Sequence, residues 1–477
     1  MNNSKLIQVL KTFSARELKL FRDFTRSPVY NKNKNVISLF DILKKYHPDF
    51  DSSKIGNETV YKKLFPGENY DYFKLKNIAS DLLSVCKEFL KFLSFSENEH
   101  LNNKFLLEQY RDRDLDRLYE QLYKNYTDNL EKIKVKDEFY YSKMAEMTNE
   151  LKSFVSPKKP NSDFELFQTE LEYEINLSLI KILDLYSTML HEIKQNNYSY
   201  DLKMFDEVME YLSRNNENTV PILQMYYYII LLQTKKDEKI FLKLKEFFKN
   251  NFENMDHYHK YMYFLHMSGF CAEMYNFECR TDYMKEHFYL SKDNFDKGTI
   301  TMGKILYMDF LNHVKIAVRV NEYEWAENYI EKFKDRLSEE RESTLDFCNG
   351  VIEYSKGNRL KALDLFSRTS FPNYIIKLQV KLLMLRIFYE EGFYDQALAA
   401  IDSFRHFLSR ENSIKENYRE SFSDFLKITG ELIRLKLSVN NHDISSDLKR
   451  LKAETEKSTQ NQFGIKLWLF EMIRNFK

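Results

Sequence analysis

Only 10 glycines and 7 prolines occur in 477 residues, where an average chain would give them roughly 12% of its positions. Sheet proteins and dinucleotide-binding folds need both in quantity, for turns and for loops that cradle phosphates. A long chain this poor in them reads as helices joined by short polar turns. Apolar residues make up 43%, with 39 Phe and 33 Tyr, enough for a large core filled by bulky rings. The expected fold class is all-α, with more than about 65% helix against a base rate near one-third.

Local signals place the helices. SARE at 14–17 is a capping box, in which Ser14 accepts from the backbone near Glu17 and Glu17 reaches back. The helix it opens stops before Ser27-Pro28, because a residue preceding proline avoids the α region. Further helices fit 34–46, 57–64 and a long amphipathic stretch of about 70–94, then 98–110, 114–133 and 136–154. SPKKPNSD at 156–163 has two prolines and no apolar residue, a composition break that suggests an N-terminal helical domain over 1–155 and a second region over 164–477. Beyond it helices fit 164–195, 202–214 and a segment opening at Pro221, where proline suits the first turn. Residues 222–290 carry a dense Met and aromatic stripe that reads as core.

EYSKGNRLKALDLF at 353–366 and FYEEGFYDQALAAI at 388–401 share one shape. Aligning Gly357 with Gly392 brings Asn321 into register 36 residues earlier; Ala326, Ala362 and Ala397 follow five positions on, and Ile330, Phe366 and Ile401 nine positions on. Val318, Tyr354 and Tyr389 precede the turn residues by three. A period of 35–36 built as helix, Gly or Asn turn and helix is the pattern of a helical-hairpin solenoid. Gly or Asn ends the first helix in the left-handed conformation, and alanine lets the second helix approach closely.

Residues 301–410 resemble the tetratricopeptide-like family, with Gly or Asn at the turn and Ala in the second helix. Gly350 agrees with that family's small first-helix residue, whereas Val314 and Leu385 occupy the same place in the neighbouring repeats, and the first-helix Trp is absent. Trp325 and Tyr394 lie near the turn. The resemblance implies an N-terminal helical bundle followed by a right-handed helical-hairpin solenoid with C-terminal capping helices, and a protein-binding scaffold. The whole chain also resembles a group of uncharacterised bacterial proteins, in FTRSPVYNKNKNVISLFDILKKYHPDF, NEYEWAENYIEKFKDRL and IDSFRHFLSRENSIKENYRES; that likeness implies no activity.

Chemistry is hard to find. There is no glycine-rich phosphate loop, no G-x-S-x-G elbow and no H-E-x-x-H helix. DHYH at 256–259 with His266 puts ligand-type residues on one helix, which cannot surround a zinc ion. Cys86, Cys271, Cys279 and Cys348 show no metal or disulfide spacing. Lys plus Arg and Asp plus Glu are both 72, although the first 100 residues hold 17 basic against 12 acidic groups. The basic helix after NETVYKKLFPGENYDYFKLK resembles the recognition part of winged-helix regulators, with Lys74 and Lys76 placed for phosphates. The absence of arginine over 69–96 and of a β-wing disfavours nucleic acid. No signal-peptide h-region or run of 18 apolar residues occurs, so a cytoplasmic chain without membrane insertion is expected.

The expected function is therefore a non-enzymatic scaffold or adaptor without cofactor or metal, binding a protein or peptide on the concave face of the solenoid. The identity of the partner and the oligomeric state are not legible. Counting back from the turns puts Lys315, Arg319, Phe347, Val351, Tyr354, Arg386 and Tyr389 on that face, and cations among aromatics suit a ligand carrying carboxylates. At the other end, SVNNHDISSD reads as a turn with Asp443 or Ser445 capping the next helix. The final QFGIKLWLFEMIRNF concentrates Phe463, Leu467, Trp468, Phe470 and Met472. It must fold back on the last hairpin or bury against a second subunit, and polar Lys466, Glu471 and Arg474 favour the fold-back.

Overall fold

A computed structural model describes residues 4–50, 54–159, 164–195, 198–215, 219–298, 303–337, 339–438, 444–457 and 460–476. Helix accounts for 80% of the chain. Among the described residues there is no strand, only a single bridge between Ile305 and Leu337. No helix among them is long and apolar enough to cross a membrane. The fold is all-α, as the glycine and proline poverty requires.

The helices, in chain order, are α1 Lys5–Thr12, α2 Ala15–Arg26, α3 Lys34–Leu43, α4 Asn57–Leu64, α5 Tyr72–Glu97, α6 Glu99–Arg111, α7 Asp116–Glu131 and α8 Glu138–Val155. There follow α9 Phe164–Gln195, α10 Phe205–Asn215, α11 Pro221–Lys235, α12 Glu238–Asn251, α13 His257–Glu278, α14 Asp282–Asp296, α15 Tyr307–Arg319 and α16 Tyr323–Phe333. The last are α17 Arg341–Ser355, α18 Arg359–Ser367, α19 Tyr374–Glu390, α20 Tyr394–Arg410, α21 Glu416–Leu437, α22 Ile444–Lys457 and α23 Ile465–Arg474. The chain forms two compact units, Met1–Leu130 with Glu146–Leu166, and Glu131–Ala145 with Phe167–Lys477. Half of the proline-rich break, residues 160–163, lies outside the described residues.

In the first unit the capping box is present in full. Glu17 N–H donates to Ser14 Oγ at 3.2 Å and Ser14 N–H to Glu17 Oε2 at 2.6 Å. Phe13, Phe21, Phe40 and Phe89, from α1, α2, α3 and α5 or their ends, meet edge-on or tilted with centroids 4.8–5.5 Å apart. That geometry adds to plain burial because ring edges and faces carry opposite partial charge. Arg111 binds Glu150, a carboxylate only 6% exposed.

The second unit contains the three aligned turns, and they are built alike. Asn321, Gly357 and Gly392 have φ of 65°, 86° and 76°. Their N–H groups donate to the carbonyls of Val318, Tyr354 and Tyr389, and the next residues, Glu322, Asn358 and Phe393, donate to Ala317, Glu353 and Phe388 at 2.8–2.9 Å. This pair of bonds is the Schellman closure, which satisfies the last carbonyls of the first helix before the second begins. Ala326, Ala362 and Ala397 are fully buried, and Ile330, Phe366 and Ile401 are buried beside them. Each therefore fills the contact between paired helices that its register implies. Two earlier helices, α11 and α13, also end in left-handed residues, Lys236 (φ 50°) and Cys279 (φ 54°).

The C-terminal helix α23 lies against α21 and α22 of its own chain. Its buried residues are Ile465, Trp468, Leu469 and Ile473. Leu467, expected among them, is exposed. Ser445 falls inside α22, which begins at Ile444, so it is not the N-cap; Asp443 lies outside the described residues. At the other edge of this unit the Lys415 ammonium, just before α21, donates to the carbonyl of Ile193 in α9.

Candidate binding recess

The seven residues expected on the partner-binding face divide into two groups. Phe347 is fully buried and Val351 nearly so. Phe347 sits with its ring 5.7 Å from Phe366 and 6.1 Å from Phe371. Tyr389 is buried against Trp468, edge to face at 5.4 Å. These three are core filling and offer no surface to a partner. Tyr354 is half-buried, and its hydroxyl donates to Glu390 at 2.7 Å.

The three cations behave differently. Lys315 and Arg319 are four residues apart on α15 and so share a face. The Lys315 ammonium donates to Gln379 Oε1 on α19 at 2.8 Å. The Arg319 guanidinium lies over the ring of Tyr275, on α13, at 5.1 Å. Arg386 on α19 lies over the Trp468 indole at 5.5 Å, and its Nη2 donates weakly to the Phe463 carbonyl at 3.4 Å. Its Nε is buried with no hydrogen-bond partner. Among the described residues no carboxylate pairs with any of the three. The nearby carboxylate of Glu390 already accepts from Tyr354 and from Trp468 Nε1, both at 2.7 Å, and from Arg359 at 2.6 Å.

Electrostatics follow from that arrangement. Burial, helped by the neighbouring Arg319 charge, pushes the Lys315 amine down to about 7. Burial also lowers Arg319 and Arg386, opposed by Tyr275 at Arg319 and by Tyr354, the Glu390 carboxylate and Tyr275 at Arg386. His287, on α14, is pushed down to about 3 by burial and then by His313, Arg319 and Lys315. His287, Tyr275 and Arg319 line a cavity of about 10 Å³, room for about one water. Lys315 and Arg319 keep part of their surface open to solvent. Arg319 thus borders the cavity with Lys315 one turn away on the same face, both partly open to solvent, while Arg386 is buried.

A segment absent from the expected set covers part of it. Residues Gln462–Gly464 form a short 3₁₀ turn lying across α13, α19 and α21. Asn461 is fully buried, donating to the Tyr275 carbonyl at 3.4 Å and accepting from Leu467 N–H at 3.1 Å. Phe463 stacks near Phe422 and Tyr418, with centroids at 6.0 and 6.2 Å. The only sequence signal for this segment is its glycine, flanked by apolar residues.

The other clusters are accounted for internally. Asp256 caps α13 by accepting from His259 N–H at 2.9 Å, and its second oxygen meets the His259 ring. His266 bonds Gln233 at 3.1 Å, and burial pushes it to about 3. Among the described residues no three ligand-type side chains gather as a metal site. Cys86, Cys271 and Cys348 are buried thiols. In the basic N-terminal segment Lys74 pairs with Glu68 at 2.7 Å and covers the Phe65 ring at 3.8 Å. Lys76 lies 5.9 Å from the centre of the Tyr72 ring. Comparison of the chain with protein-family models, with curated proteins and with solved structures finds no match.

Proposed function

We propose that this chain is a non-enzymatic helical-hairpin scaffold whose α15–α19 face binds an acidic segment of a protein partner. The observation that carries the reading is the pair Arg319 and Arg386, two desolvated guanidiniums that lie over aromatic rings and are paired directly with no carboxylate among the described residues, with Lys315 one helical turn from Arg319. A desolvated charge without a counter-charge costs several kcal/mol, and a carboxylate is the group that satisfies arginine with two parallel bonds. A right-handed solenoid, the architecture implied by the family resemblance, gives such a recess its concave setting. Buried aromatic walls at Tyr275 and Trp468 would hold the Arg319 and Arg386 planes in place for such a ligand.

The test is a titration of fluorescein-labelled hexaglutamate and hexalysine by anisotropy at low salt. Hexaglutamate should bind, hexalysine should not, and Arg319→Gln should weaken binding by about tenfold or more, as when one member of a desolvated charge pair is removed. Equal behaviour of the two peptides, or no effect of Arg319→Gln, would remove the basis for this function.

A further inference from the structure

The segment over the recess makes contacts of poor quality for one so deeply placed. The polar bonds that tie it to α19 and α13, Arg386 Nη2 to the Phe463 carbonyl and Asn461 Nδ2 to the Tyr275 carbonyl, are both 3.4 Å, at the long edge of useful geometry. Gln462 is 1% exposed, yet its Oε1, like Arg386 Nε, has no partner. The backbone is left-handed at two successive residues, Phe463 (φ 50°) and Gly464 (φ 73°), and a bulky side chain is disfavoured there. Gly464 also lies so close that an added Cβ would stand 2.9 Å from the Tyr275 hydroxyl. A neutral carbonyl thus occupies a guanidinium that a carboxylate would satisfy better.

We propose, on the basis of the acidic-segment reading above, that residues 460–464 are a displaceable cover, and that the partner's carboxylates take the place of the Phe463 carbonyl on Arg386 and reach Arg319 behind it. Opening is transmitted to the C-terminal helix, because Asn461 holds Leu467 N–H and Trp468 meets Tyr389 edge to face and lies under Arg386. Free protein is then partly closed against its ligand, and the apparent affinity is reduced by the fraction of molecules whose cover is off.

The experiment uses the full chain and labelled hexaglutamate. Gly464→Ala, strained at its φ and crowded against Tyr275, loosens the cover without touching the cations; Asn461→Ala removes its tie to Tyr275 by a second route. Both should tighten hexaglutamate binding by about three- to tenfold, the effect of raising the open fraction. In a Trp325→Phe background Trp468 is the sole tryptophan, the chain having two, and its emission and acrylamide quenching should change as peptide is added. If hexaglutamate binds in an Arg319-dependent way but neither variant tightens it and Trp468 does not respond, the cover is refuted while the binding reading stands. If the peptide binds neither the parent chain nor the loosened variants, the binding reading fails and takes the cover with it. The anisotropy arm needs no tryptophan substitution, so misfolding of Trp325→Phe leaves the comparison intact.

Discussion

Gly350 offers the sharpest test of the hairpin packing. It lies in the middle of α17, where an added Cβ would stand 2.6, 2.9 and 3.1 Å from three carbons of the Phe366 ring. Carbon atoms pack comfortably at about 3.5–4.0 Å, so the ring must retreat by most of an ångström. Phe366 is only 1% exposed and has Phe347 behind it at 5.7 Å, which leaves little room. Overpacking of this kind costs about 1–3 kcal/mol. Replacing glycine by alanine inside a helix returns about 1 kcal/mol through propensity. The net expectation for Gly350→Ala is a loss of about 1 kcal/mol. Gly269 in α13 is the matched control, since nothing lies within 4 Å of its added Cβ. Gly269→Ala should gain about 0.5–1 kcal/mol, the propensity effect alone. Urea unfolding followed by circular dichroism at 222 nm, compared at constant m-value, separates the two by opposite shifts of midpoint. Adding Phe366→Leu to Gly350→Ala should recover part of the loss, a coupling of about 1 kcal/mol expected of residues in contact. If Gly350→Ala stabilises as Gly269→Ala does, Phe366 is not wedged on α17 and the packing of α17 with α18 is wrong.

Three further outcomes are expected. Glu390→Gln should cost about 2–3 kcal/mol, since it weakens charge-assisted bonds to Tyr354, Trp468 and Arg359 at once; a loss within error of zero would show that the carboxylate is not the hub of that network. In native protein a thiol reagent such as Ellman's should titrate Cys279, which is partly exposed, ahead of Cys86, Cys271 and Cys348, which are buried; burial pushes Cys86 up to about 12, and rapid reaction of all four would contradict the core described. Burial holds His266 and His287 near 3 and His313 near 4, against an ordinary value of 6.5. A histidine lowered on folding favours the folded state fully above pH 6.5, and that contribution is lost as pH falls through the folded value. Urea midpoints should therefore drop between pH 6.5 and 4, less steeply in His266→Gln; identical slopes would refute the assignment.

What could be read from sequence was local. The Ser14–Glu17 box, the stop before Pro28, the start at Pro221 and the Gly357 and Gly392 turns all depend on residues within one helical turn of each other, and such signals survive in sequence. The left-handed ends at Lys236 and Cys279 were not legible, because neither residue type favours that conformation. Helical phase placed Lys315, Arg319 and Arg386 on related faces but gave no account of what surrounds them. Tyr275 reaches Arg319 from a different hairpin, and Phe463 reaches Arg386 across 77 residues. Sequence left Phe347 and Val351 equally compatible with an open face and with packing against the next repeat, and gave no sign that Tyr389 is buried, because a face counted from one hairpin does not show how closely the next one presses on it.

The tie between Lys415 and Ile193 has a consequence for how the chain is made. The two residues are 222 positions apart, whereas most hairpin contacts join neighbours that emerge together. At about 5–20 residues per second of synthesis, the end of α9 waits roughly 10–45 seconds for its partner, long after the hairpins between them have had time to form. During that interval the Ile193 carbonyl lacks the Lys415 ammonium. Synthesis thus sets an earliest time for this contact, and hairpins whose two helices emerge together are free to close before it. The tie is therefore among the late contacts that synthesis allows the second unit, and a change at Lys415 would act on that step without touching the hairpins made before it.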